Sequence, residues 1–202
     1  MFYYKYLPEG YTLKKEVDAK NKKTALIFNG IALVILLAVI ILIYFFRLRH
    51  LGQINFDESL TILLYLLIYM VFMIAYVVIH ELTHGLFYKI FTKQKLKFGF
   101  NLSVAYCGVP EGYVAKVPAL ITVLAPLVLH SIWMITLVCT LNDFYWNFVI
   151  SLLLAAHLSG CVGDCYVSFL LIKYPKDVLV NDDGAKQTFY CKEVNETTSS
   201  VN

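Results

Sequence analysis

Four long apolar stretches decide most of what this chain can fold into: Thr24 to Phe46, about Ser59 to Phe91, about Pro118 to Leu141 and about Trp146 to Ile172. Each exceeds or approaches the roughly 20 residues that a helix needs to cross a bilayer. The first is too long for a signal-peptide core and lacks a small-residue cleavage site, so it is expected to stay as an anchor. With 59% hydrophobic, 15% aromatic and 15% charged residues, the chain reads as an integral membrane protein. A net charge of +3 is too small to point to nucleic acid, and the lysines gather beside the apolar stretches. The five cysteines are odd in number, and Cys139, Cys161 and Cys165 lie in apolar stretches, which argues against a disulfide framework.

The lysines orient the segments. They crowd the N-terminal leader (Lys5, Lys14, Lys15, Lys20, Lys22, Lys23), recur in the second connection (Lys93, Lys95, Lys97, Lys116) and return in the tail (Lys173, Lys176, Lys186, Lys192). The first connection holds only Arg47 and Arg49, and the third holds no basic residue. This alternation predicts both termini in the cytoplasm.

Near the end of the second stretch stands His80-Glu81-Leu82-Thr83-His84. Histidines four residues apart share one helix face and can reach a single ion. The intervening Glu81 is free to take a proton from the attacking water. Ionisable groups inside an apolar segment are costly, which favours a functional reading. At the helical rise, His80 falls roughly 30 Å below Ser59 and Asp164 about 27 Å below Trp146, so the two come to similar depth. Glu81 and Asp164 are the acidic residues of the four stretches.

A catalytic zinc takes three protein ligands, and Asp164 is the choice for the third. An unpaired carboxylate at that depth needs a cation, and Ser159, Gly160 and Gly163 leave the helix surface bare for close approach. His157 is the rival, seven residues earlier on the same face, either as a ligand or as a polar group near the site. His130 reads as a satisfied core histidine, His50 as an interfacial residue, and Cys161 with Cys165 as small buried hydrophobes that could also hold a soft metal.

Between the second and third stretches, Leu96, Phe98, Phe100, Leu102, Val104 and Tyr106 alternate with more polar residues. Cys107 to Gly112 has turn chemistry, and Tyr113 to Val117 can return as a second strand, giving a hairpin over about residues 95–117. Its edge, around Gly99, Asn101 and Ser103, is a candidate for pairing with an extended peptide substrate; an interfacial hairpin that merely packs is the alternative. The tail suggests another hairpin, Val178 to Val180 and Thr188 to Tyr190 about Asn181 to Gly184. Together these readings predict an all-α membrane bundle of about four transmembrane helices with a small β-hairpin between helices 2 and 3. Residues 1–23 form a basic cytoplasmic leader, 24–172 the membrane domain and 173–202 a cytoplasmic tail.

With the histidine motif, the strand-forming connection, Ala125-Pro126-Leu127 and Gly163-Asp164 in that order, residues 55–190 resemble a family of small bacterial membrane proteins. That family is described as putative zincin peptidases and is related to the site-2 proteases. The resemblance implies Zn²⁺ held by His80, His84 and Asp164, with Glu81 as the base, in a bacterial cell membrane. Where site-2 proteases carry Leu-Asp-Gly, this chain has Gly163-Asp164-Cys165. The expected function is a membrane-embedded zinc metalloprotease that hydrolyses peptide bonds of a membrane-protein or peptide substrate at or near the cytoplasmic face. The alternative is a metal-binding membrane scaffold or transporter without hydrolase activity. A transporter would spread polar residues over several depths, whereas the two acidic residues gather at one. Hydrolysis of a lipid or another amide would use the same residues.

Overall fold

A computed structural model describes residues 1–52, 59–100 and 105–193. In chain order the described elements are β1 (Tyr3–Tyr4), β2 (Tyr11–Asp18), α1 (Lys22–Ile43), a π-helical turn (Tyr44–Leu48), α2 (Arg49–Leu51), α3 (Ser59–Thr92), β3 (Lys97–Phe100), β4 (Ala105–Ala115), α4 (Lys116–Thr140), α5 (Phe144–Gly160), α6 (Val162–Lys173), β5 (Leu179–Asp182) and β6 (Lys186–Lys192). Helix dominates, and the strands form one six-stranded sheet in the order β1-β4-β5-β6-β2, with β3 also on β4.

Among the described residues, three helical stretches are long and apolar enough to cross a membrane: Lys22–Leu51, α3 and α4. The bent pair α5–α6 makes a fourth if counted as one span. The fourth stretch is therefore not the continuous helix expected from its sequence. It bends by 40° at Cys161, whose φ −77°, ψ 9° leaves the helical basin, and Asp164 lies in the first turn of α6. Helices α3, α4 and α5 pack on one another, α1 lies against α5, and α6 lies against α4. Tyr76, Met134, Val138, Ile150, Leu153 and Leu154 fill the space between α3, α4 and α5. Along the opposite side of α3, Leu60, Leu64, Leu67, Val71, Ile74 and Val78 are exposed apolar residues at helical spacing, as a face turned to lipid requires.

The sheet corrects two expectations. The chain is not all-α outside one isolated hairpin, because the leader and tail contribute strands. β2 pairs antiparallel with β6 from Tyr11 opposite Lys192 to Asp18 opposite Lys186. It is an edge strand whose Lys14, Lys15 and Glu16 are exposed, a charged edge that resists further pairing. The tail hairpin of β5 and β6 forms as its sequence suggests. The hairpin between α3 and α4 pairs differently from the expected one: Lys97 lies opposite Gly108 and Phe100 opposite Ala105. Residues 107–112 are thus strand, not turn. Gly108 serves close approach instead, since a Cβ there would lie 2.2 Å from the Gly184 backbone nitrogen. Pro110 to Gly112 fall in a register shift of the β4–β5 pairing, where Asn181 Nδ2 donates to the Pro110 and Gly112 carbonyls at 3.0 and 2.8 Å.

Because β1, β2, β4, β5 and β6 share a sheet, the leader strands, the β5–β6 hairpin and the α3–α4 connection meet at one end of the helices. Their core joins Val109, Val114, Val180 and Phe189 of the strands to Tyr88 of α3, Val123 of α4 and Leu171 of α6. The sheet is thereby fastened to the three helix segments that carry the polar residues described next.

Candidate metal centre

One face of α3 carries a polar ladder at every fourth residue: Tyr76, His80, His84, Tyr88 and Thr92. All but His80 are buried, and His80 is intermediate. Their spacing keeps them on one side of the helix, opposite the lipid-facing stripe. Gly85, beside this ladder, lets the strands come close; a Cβ there would lie 2.9 Å from the Phe98 ring and 3.2 Å from Cys107 Sγ.

α6 brings Asp164 to the ladder. Asp164 Oδ2 lies 3.4 Å from His80 Nε2, and Oδ1 lies 3.6 Å from His84 Nε2. The three side chains offer ligand atoms that all lie within 4.8 Å of one another. Bonds of 2.0–2.1 Å in a tetrahedron imply ligand–ligand edges of roughly 3.3 Å, so the spacing suits zinc after small adjustment. Two imidazoles and a carboxylate also match the donor chemistry of a catalytic zinc.

The outward ring nitrogens are held. His84 Nδ1–H donates to the Thr122 carbonyl of α4 at 2.9 Å. His80 Nδ1 meets the Tyr76 hydroxyl at 2.8 Å, and the same hydroxyl meets His157 Nδ1 at 2.5 Å. His157 Nε2 lies 3.0 Å from Ser131 Oγ and 3.4 Å from the Leu127 carbonyl. A carbonyl only accepts, so His157 carries its proton on Nε2 and takes the Tyr76 hydroxyl proton at Nδ1. Tyr76 oxygen then accepts from His80 Nδ1–H. In neutral rings this leaves both Nε2 atoms as lone pairs toward Asp164, the orientation that outer partners impose on metal-binding histidines.

Glu81 sits beside this group. It lines a cavity of about 150 Å³ with His80, His84, Asp164 and Tyr106, and it meets the Cys107 backbone N–H. It also borders an apolar groove of about 670 Å³ between α3 (Met73, Val77, Val78) and the strands (Phe98, Phe100, Tyr106). Glu81 thus opens onto both the polar cavity and the apolar groove.

The other sequence candidates fall as follows. His157 is close to the site, its ring 6.4 Å from that of His80, and the Tyr76 hydroxyl ties the two rings together. His80, His157 and Cys161 form a second group with metal-binding spacing, but the Tyr76 hydroxyl already bonds both of its histidines. His130 is buried and partnered by Thr83 Oγ1 and Trp133 Nε1, each at 3.1 Å. All five cysteines are free; Cys161 is buried and Cys165 exposed. His50 is exposed and bonded by Arg49. Burial, followed by the nearby Glu81, pushes the Cys107 thiol up to about 12, so it stays protonated. Gly99 lies in β3, where a Cβ would meet the Tyr106 ring at 2.2 Å, while Asn101 and Ser103 lie outside the described residues.

Sequence reasoning passed over Tyr76, Thr122 and Asp182. Tyr76 was within reach, four residues before His80 on the same face. Asp182 comes from the tail hairpin and is 2% exposed at the cavity wall. It accepts hydrogen bonds from the Tyr88 hydroxyl, from Gly184 N–H at 2.7 Å and from Gln187 Nε2 at 2.8 Å. Burial pushes its carboxyl up to about 6, against the opposing pull of these bonds.

A mostly helical chain with spans of membrane length and a two-histidine, one-carboxylate cluster defines a candidate membrane metalloprotein. The family described as "Putative zincin peptidase" matches residues 73–179, just over half of the chain, and the chain belongs to that family. No curated protein and no solved structure matches it. The matched segment includes every residue of the cluster.

Proposed function

We propose that the chain is a membrane-embedded zinc metalloprotease of the site-2-protease type, acting at the cytoplasmic face of a bacterial membrane. The convergence of His80 Nε2, His84 Nε2 and the Asp164 carboxylate on one point carries this reading. Family membership supports the metallopeptidase chemistry. The lysine pattern supports a cytoplasmic site, because the sheet beside the cluster gathers the lysine-rich leader, second connection and tail.

Zinc, when bound, supplies Lewis-acid polarisation of the scissile carbonyl and lowers the pKa of a water in the site. His80, His84 and Asp164 would hold it, with Tyr76 and Thr122 fixing the two rings. Glu81 takes the proton from the attacking water and returns one to the leaving nitrogen. A substrate helix hides its amides in its own hydrogen bonds, so it must open locally before cleavage. The groove between α3 and β3 takes an apolar segment, and β3 pairs only with β4 among the described strands, leaving an edge for the opened backbone. Proline at Gly99 would strike the Tyr106 ring whatever the edge does, so it is a poor probe of pairing.

Comparison of membrane proteomes from cells carrying the intact protein and Glu81→Gln tests the function. The expected result is one or more membrane proteins that persist full-length only with the variant, while its zinc content is unchanged. Equal cleavage by both would remove Glu81 from the mechanism.

A further inference from the structure

Pro126 lies in the interior of α4, which continues on both sides of it from Lys116 to Thr140. A proline there has no N–H for the carbonyl four residues earlier, and its ring crowds that carbonyl. The carbonyl in question is Thr122 O, the acceptor for His84 Nδ1 at 2.9 Å. We infer that Pro126 is a positioning residue for the metal centre: by leaving Thr122 O without its helical donor, it reserves that carbonyl for His84 and so turns the Nε2 lone pair of His84 toward Asp164. The inference rests on His84 being a zinc ligand.

The chemistry runs in one direction. Thr122 O can only accept, so the nitrogen facing it carries the proton and the lone pair of the neutral ring sits on Nε2. That Nε2 is 3.6 Å from Asp164 Oδ1. Thr122 is 0% exposed, His84 7% and Pro126 buried, so solvent water is poorly placed to substitute for the carbonyl. Any residue with an N–H at 126 would restore the helical bond to Thr122 O. The carbonyl would then be shared between a donor along the helix axis and one across the α3–α4 interface. A proline inside a helix normally weakens that helix. If it is kept only to bend or pack α4, its replacement harms the fold and has no selective effect on the metal. If it is kept to free Thr122 O, its replacement leaves the fold as stable or more stable and loosens the metal.

Pro126→Ala in the full chain separates these. Loss of an outer partner of a metal-binding histidine typically weakens binding 10–100-fold. The expected result is a zinc dissociation constant raised by about that factor in chelator competition, with the Tm of the zinc-free protein unchanged or raised. In histidine-labelled, zinc-free protein the His84 Nδ1 proton, held by Thr122 O, should be shifted downfield and slow to exchange in the wild type, and should exchange faster in the variant. Unchanged zinc affinity, an unchanged Nδ1 proton, a lowered Tm or failure to fold would each overturn the inference. Wild-type protein that binds no zinc would instead strike the zinc reading, and exchange of the Nδ1 proton would still decide whether Pro126 frees Thr122 O for His84.

Discussion

Replacing Asp182 by Asn should change how stability depends on pH. The carboxyl is 2% exposed, and burial lifts it from the ordinary 3.8 to about 6. Between those two values the folded chain binds the proton more tightly than the unfolded chain. The stability that the protonated group contributes is therefore complete below 3.8 and is lost as pH rises through 6. A shift of about 2 units corresponds to about 3 kcal/mol across that window. Asn carries no charge to desolvate. Its oxygen can keep the Gly184 N–H, and its amide can donate to the Tyr88 oxygen and to Gln187 Oε1, a buried atom that otherwise lacks a partner, once the Gln187 amide turns over. The assay is unfolding of chelator-treated protein in detergent at steps from pH 4 to pH 7.5. The difference between the two proteins at each pH isolates Asp182 from other titrating groups. Near pH 4 they should agree within about 1 kcal/mol. By pH 7 the variant should be the more stable by about 2–3 kcal/mol. Parallel curves, or a variant weaker at pH 7, would refute the reasoning.

Asp164→Ala should lower zinc occupancy far more than His157→Ala, because only Asp164 sits between both motif histidines; a filled Asp164→Ala site beside an empty His157→Ala site would reverse the ligand assignment. Tyr76→Phe removes the hydroxyl shared by His80 and His157, leaving His157 Nδ1 only Cys161 Sγ at 3.7 Å, and should weaken zinc 10–100-fold in chelator competition. Single cysteines at Asn142 and Lys93, both exposed, should react with an impermeant reagent from opposite sides of the membrane when placed in a cysteine-free background; labelling from one side would break the four-crossing arrangement.

The parts legible in the sequence are those set by local spacing. The apolar stretches and the i, i+4 histidines need no distant information, and neither does the β5–β6 hairpin around Gly184. The bend at Cys161 left no proline to announce it, so the α5–α6 stretch read as one helix. Gly108 and Pro110 carry turn chemistry locally, yet contact with Gly184 and Asn181, about seventy residues away, holds them in a strand. The leader was harder still. Its lysines read as a topology signal, while the same segment forms an edge strand whose partner β6 lies near the other end of the chain. Such pairing is fixed by tertiary context, and no window of the sequence contains it. Matching depth along straight helices points to Asp164, an argument the bend removes; it meets the histidines because the first turn of α6 lies against His80 and His84.

The zinc-edge X-ray absorption spectrum of the loaded protein tests the central claim most directly, because two side-chain groups among the described residues have metal-binding spacing and one of these contains sulfur. Ligation by His80, His84 and Asp164 predicts a first shell of nitrogen and oxygen alone at about 2.0–2.1 Å, with the outer scattering of two imidazole rings. A sulfur scatterer at about 2.3 Å would place the metal on the His80, His157 and Cys161 group and contradict the account.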